Sequence, residues 1–147
     1  MTDRRSQPSG ASVALVVAAG TALGTSGYLS WAKLAGEDPA CGPLRGCEAV
    51  NTSPFSEVLG IPVALVGMIA AAISLVAVLI WWWRSERRAL YVTYGLGLIS
   101  LPILTHLTYL ELFVIGTVCV WCAAYGVAVV GTWVASLVIL RQRSDPA

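Results

Sequence analysis

Residues 61–83 read IPVALVGMIAAAISLVAVLIWWW and contain no charge. A helix crossing the hydrocarbon of a bilayer needs about 20 mostly apolar residues, and this run is read as such a span. The same pattern recurs outward from it. Toward the C-terminus come apolar stretches from about Ala89 to Phe113 and from about Thr117 to Leu140, separated by polar breaks. Toward the N-terminus lies a weaker one, about Ala11 to Trp31, diluted by Gly20, Thr21, Gly24, Thr25, Ser26 and Gly27. Small residues of this kind let helix backbones approach closely, so the first helix is expected to pack against its neighbours rather than face lipid. A cleaved signal peptide competes for this segment, because Arg4 and Arg5 precede an apolar run that ends among small residues. That alternative leaves three spans and puts the chain's two cysteine pairs on different footings.

Composition agrees with the bilayer. Of the 147 residues, 57% are hydrophobic and 12% charged, where soluble domains carry roughly 25% charged residues. A chain this small and apolar cannot hide its hydrophobic surface inside itself. The reading is one all-α integral membrane domain over 1–147, with spans of about 11–31, 61–83, 89–113 and 117–140 and an outer loop of about 32–60. Net charge is only +1, and neither a nucleic-acid surface nor a nucleotide-binding loop is visible.

The placement of the cations sets the expected orientation. Arg4, Arg5, Arg84, Arg87, Arg88, Arg141 and Arg143 fall on one side of the spans, and Lys33 and Arg45 on the other. The positive-inside rule therefore puts both termini in the cytoplasm and the long loop outside, in a multi-pass cell-membrane protein. Trp81, Trp82 and Trp83 fit an aromatic belt at the inner interface.

All four cysteines then face outward, toward the compartment where disulfides form and persist. Cys41 and Cys47 lie in the loop, and Cys119 and Cys122 form a C-x-x-C at the start of the last span. Thr117 is the expected N-cap of that helix, which puts Cys119 in its first turn and Cys122 one turn deeper on nearly the same face. A thiolate near a helix N-terminus is stabilised by unpaired amides and the dipole. A thiol of low pKa leaves readily in exchange, and the deeper cysteine is placed to meet a hydrophobic oxidant. Two alternatives remain: a four-cysteine zinc site, disfavoured by the wide Cys41/Cys47 spacing, and a purely structural loop staple. His106, inside the third span, is read as cavity-lining or interfacial, and Glu111 as the outer boundary of the turn that follows; neither is assigned a catalytic role.

The loop carries its own signals. Gly42, Pro43 and Gly46 suggest irregular turns that leave Cys41 exposed and mobile. Thr52 or Ser53 before Pro54 reads as a cap with proline at the first helical position. A short amphipathic helix through Phe55, Val58 and Leu59 is expected to lie over the mouth of the bundle, and Pro62 opens the second span.

The cysteine order, the sequence CEAVNTSPFS over 47–56 leading to GIP over 60–62, and the terminal C-x-x-C together resemble the bacterial members of the vitamin K epoxide reductase family. The resemblance runs from the first span to the fourth. It implies a relay in which Cys41 exchanges with a separate thioredoxin-like, DsbA-like partner, Cys47 passes electrons to Cys119, and Cys122 reduces a bound quinone, either menaquinone or ubiquinone. It also implies roles for Ser53 and Phe55 near the quinone. Tyr125 stands one position short of the pocket tyrosine of vertebrate members. Asn51, Ser53 and Tyr125 are the candidate hydrogen-bond donors to the reduced ring, and no metal is implied. A DsbB-like oxidase has the opposite cysteine order, with its C-x-x-C in the first outer loop. A membrane subunit with structural disulfides is the alternative from another class.

Overall fold

The computed structural model describes residues 9–43 and 45–144. Arg4 and Arg5, which enter the charge argument, lie outside the described residues. Four long helices dominate: α1 (Gly10–Ala35), α3 (Val63–Arg84), α4 (Arg87–Tyr109) and α5 (Val120–Ser144), with a short α2 (Gly46–Thr52) in the loop between α1 and α3. A π-helical turn, Leu110–Ile115, continues α4. The four long segments are each long and apolar enough to cross a membrane. The fold is an all-α membrane bundle.

Local signals explain the limits of α1. Ser9 caps its start, accepting the Ser12 N–H at 3.3 Å. Gly36 ends it in the left-handed conformation at φ 68°, a geometry that side chains resist and glycine does not.

α1 packs against α3 and α5, and α4 closes the bundle against the same two helices. The contacts form three layers. At the end that carries the α3–α4 turn, Leu15, Val78, Trp81, Leu90 and Ile139 interlock as a conventional apolar core. In the middle, Ala22, Ala71 and Ala128 let the backbones come close. At the opposite end, beside the α1–α3 loop, Leu29 packs with Cys47 and Cys119. The expectation for the first helix holds for one stripe only. Thr25, Ser26 and Ser30 are buried and donate their hydroxyls to carbonyls one turn back, whereas Gly20, Thr21 and Gly24 are exposed. A second close approach joins α4 to α5, where a Cβ on Gly97 would collide with the Trp133 side chain. The aromatic-belt reading needs one correction: Trp82 and Trp83 are exposed, but Trp81 is buried in the core with the Arg143 guanidinium 5.5 Å from its ring centre.

The loop departs from expectation. No helix runs through Phe55, Val58 and Leu59. Pro54–Ser56 makes one 3-10 turn, and Glu57–Val58 (β1) pairs antiparallel with Ile61–Pro62 (β2). Leu59 and Gly60 both have positive φ, 55° and 79°, as a tight two-residue hairpin turn requires. Ser53 provides no side-chain cap and instead donates its hydroxyl to the Val50 carbonyl at 2.8 Å. The loop's helix is α2, eight residues earlier than expected, and it carries Cys47.

Candidate functional site

Cys41 and Cys47 form a disulfide, their Cα atoms 5.9 Å apart. The Cys119 sulfur lies 3.4 Å from that of Cys47, and both residues are 1% exposed. The sulfurs of Cys41, Cys47 and Cys119 fall within 4.8 Å of one another. Two of the three are bonded to each other, and metal ligation needs thiolates. A free sulfur in near-contact with a disulfide is instead the geometry of exchange, since reacting atoms at about 3–3.5 Å are positioned to attack.

Gly46 makes this approach possible. A Cβ there would land on the Val118 carbonyl, next to Cys119. Only a residue without a side chain lets the start of α2 seat against the strand of chain that leads into α5, bringing Cys47 to Cys119.

The cap of α5 is Cys119 itself, not Thr117. The Cys119 carbonyl accepts the first helical bond, from the Ala123 N–H at 2.9 Å, and its sulfur accepts the Cys122 N–H at 3.3 Å. Cys119 thus occupies the position normally held by a serine or aspartate, with its sulfur among the unpaired amides. The Cys122 side chain donates a hydrogen bond to this sulfur, which, with the Cys122 and Trp121 amides, holds the Cys119 thiol below its ordinary range; burial and the nearby Glu111 oppose the effect.

The segment before Cys41 is anchored rather than mobile. Trp121, between the two C-x-x-C cysteines, donates its indole N–H to the Ala40 carbonyl at 2.9 Å. The Ala40 N–H reaches the Tyr28 hydroxyl at 3.0 Å, and the Tyr28 and Trp121 rings lie 4.7 Å apart. Cys41 is half-buried as a result.

Beneath the sulfurs lies a cavity of about 850 Å³, walled by α1, the loop, the start of α3, the C-terminal part of α4 with its π turn, and α5. Asn51, Ser53, Phe55 and Tyr125 all line it, as do Cys119 and Cys122, while Cys41 does not. The Tyr125 hydroxyl donates to the Gly67 carbonyl at 3.2 Å across the cavity's inner wall. Asn51 and Ser56 are tied to α1 by Lys33, whose ammonium donates to the Asn51 carbonyl at 2.7 Å and the Ser56 hydroxyl at 2.9 Å and pairs with Glu57 at 3.2 Å.

His106 is exposed and takes no part in the cavity wall. The expectation for Glu111 is overturned: it is 8% exposed, lines the cavity, and accepts the Cys119 N–H at 3.4 Å. Tyr28 and Trp121 are site residues that the sequence reading passed over, and Gly46, Lys33 and Glu111 are ones to which it gave no place in the site. Trp121 had the clearest signal, an aromatic inside the C-x-x-C.

The sequence model described as the Vitamin K epoxide reductase family matches residues 13–138, which includes all four cysteines and most of the chain. No curated protein matches the chain.

Proposed function

The chain belongs to the vitamin K epoxide reductase family, an oxidoreductase family of membrane proteins, and on that premise we propose that it reoxidises a thioredoxin-like, DsbA-like partner at the expense of a quinone, supporting disulfide formation outside the cell membrane. The observation that carries this reading is the 3.4 Å contact between Cys119 and the sulfur of the Cys41–Cys47 disulfide, directly above an apolar cavity that Cys122 lines.

In the proposed cycle a partner thiolate attacks Cys41 and releases Cys47. Cys47 then attacks Cys119 of an inner Cys119–Cys122 disulfide, and Cys122 leaves as thiolate and takes a proton. The partner's second thiolate attacks the partner–Cys41 mixed disulfide, the partner departs oxidised, and the freed Cys41 thiolate attacks Cys47 and releases Cys119 as thiolate. The outer disulfide is regenerated and two electrons rest on the inner pair. When bound, the quinone is the two-electron, two-proton acceptor that empties it. The cavity suits such a ring in size and apolar lining, since ligand pockets commonly enclose about 300–1,000 Å³. Ser53, Asn51, Phe55 and Tyr125 are the proposed ring-holding residues. Lys33 keeps the loop that bears three of them closed over the cavity. Menaquinone and ubiquinone both suit this chemistry, and the orientation follows the cation bias, with termini inside and cysteines outside.

The test is to incubate purified protein with a reduced thioredoxin-like protein and a quinone, following quinone absorbance. Cys119→Ala and Cys122→Ala should abolish turnover. Cys41→Ala should block the protein partner but leave part of the activity with a small dithiol. If a Cys41→Ala, Cys47→Ala double variant oxidised the protein partner at the normal rate, the relay would be wrong. Full turnover by a folded Cys122→Ala variant would favour purely structural cysteines.

A further inference from the structure

The relay leaves one buried ionisable group without a task. Glu111 sits in the π-helical turn that extends α4, and among the described residues it is the single carboxylate in the cavity wall. Insertions of this type inside α-helices recur at functional sites. Its backbone is fixed: the Glu111 carbonyl accepts the Thr117 N–H at 3.1 Å and the Gly116 N–H. Its side chain is fixed too, accepting the Cys119 amide at 3.4 Å, and the carboxylate shares the cavity wall with the Cys122 thiol. A carboxylate is costly to bury in a membrane protein unless it is paired or functional. Among the described residues no cation pairs with it. Lys33, which borders the same cavity, is committed to Asn51, Ser56 and Glu57.

We propose that Glu111 is the proton-transfer residue of the inner dithiol, taking the proton of Cys122 as that sulfur gives up its electrons and passing it into the cavity. This rests on the quinone reading above. The step balances as follows. The reduced inner pair holds Cys119 as thiolate and Cys122 as thiol. The Glu111 carboxylate takes the Cys122 proton, the Cys119–Cys122 bond forms, and two electrons leave. The quinone receives both electrons, the proton relayed by Glu111 and one further proton from water, and Glu111 returns to carboxylate. Three other titratable groups face the carboxylate's surroundings: Cys47 on α2, Tyr125 on α5 and Tyr109 at the end of α4. Tyr125 is occupied by the Gly67 carbonyl, and Cys47 is held in the outer disulfide.

The experiment uses full-length protein with Cys41→Ser and Cys47→Ser, so that only the inner dithiol reacts. Single-turnover oxidation is followed from acid to alkaline pH with two acceptors, a short-chain quinone and diamide, for Glu111 and for Glu111→Gln. General-base assistance is typically worth about 10²–10⁴-fold, so Glu111→Gln should be slowed at least tenfold at neutral pH with both acceptors. The deficit should shrink as pH rises, because hydroxide then removes the Cys122 proton directly. Glu111→Asp should recover part of the rate. Equal rates for Glu111 and Gln would overturn the proposal. So would a deficit constant across pH, which indicates packing, or one confined to the quinone, which indicates ring binding. If diamide oxidises the inner pair and no quinone does, the quinone reading fails, and the diamide pH profile still decides the role of Glu111.

Discussion

At the scale of single residues, the site depends on the space of one missing methyl group and on the hydrogen bonds around one sulfur. Replacing Gly46 with alanine puts a methyl group on the Val118 carbonyl. Relief of such overpacking costs about 1–3 kcal/mol, and the easiest relief is to lift α2 away from Cys119. Gly46→Ala should therefore leave the Cys41–Cys47 disulfide reducible by a small dithiol while slowing electron transfer to the inner pair at least tenfold, measured by acid quench and mass spectrometry of the mixed disulfide. The second case is Cys119, whose thiol the Cys122 side chain and neighbouring amides hold below its ordinary range. A lowered thiol pKa means that the thiolate is already present below the pH where a free cysteine titrates. In the reverse of the relay's exchange, started from reduced inner pair and oxidised outer pair, the rate of Cys119 attack on the Cys41–Cys47 disulfide should then rise with pH and level off early. Cys122→Ala removes the leading donor and should move that plateau to higher pH, whereas Cys122→Ser retains a donor and should move it less. Spacing alone marks Cys119 and Cys122 as a pair. That Cys119 is itself the cap could not be read from it, since Thr117 is the better capping residue by type, and tertiary contact with Glu111 and Cys47 sets where the helix begins.

At the scale of elements, periodicity announces the long helices and misses the irregular pieces. The four apolar runs are plain because a bilayer demands them. The hairpin over residues 57–62 is hidden: its turn places Leu59 at positive φ, which a branched apolar side chain does not advertise. The π turn is equally silent, because one extra residue per turn leaves the apolar count of the span unchanged while rotating Glu111 from the boundary to the interior. The anchoring of Cys41 through Ala40 is a product of three elements meeting and has no local signature. It yields a clean test. Trp121→Phe keeps the ring against Tyr28 and loses the indole donor to Ala40, a hydrogen bond worth about 1 kcal/mol. Amide exchange at Ala40 and Cys41 should quicken about fivefold by that figure, with the rest of the bundle unchanged, as measured by hydrogen–deuterium exchange.

At the scale of the molecule, the direction of electron flow depends on which side the sulfurs face. In sealed, right-side-out vesicles, Cys41 freed by a small reductant should react with a membrane-impermeant maleimide, whereas a cysteine introduced at Ser85, in the exposed turn between α3 and α4, should react only after permeabilisation. The reverse pattern would invert the orientation. The three layers of the bundle carry a further consequence. Large interlocking side chains fasten the end that holds Leu15, Val78, Trp81 and Ile139, small alanines form the waist, and the opposite end holds the cavity. Resistance to local opening is therefore graded along the membrane normal, and openings at the cavity end break far fewer apolar contacts than separation of the whole bundle. On the proposed quinone chemistry, the half that holds the cavity admits and releases the ligand while the tightly filled half keeps the four helices in register, so that traffic through the site and persistence of the fold draw on different regions of one small chain.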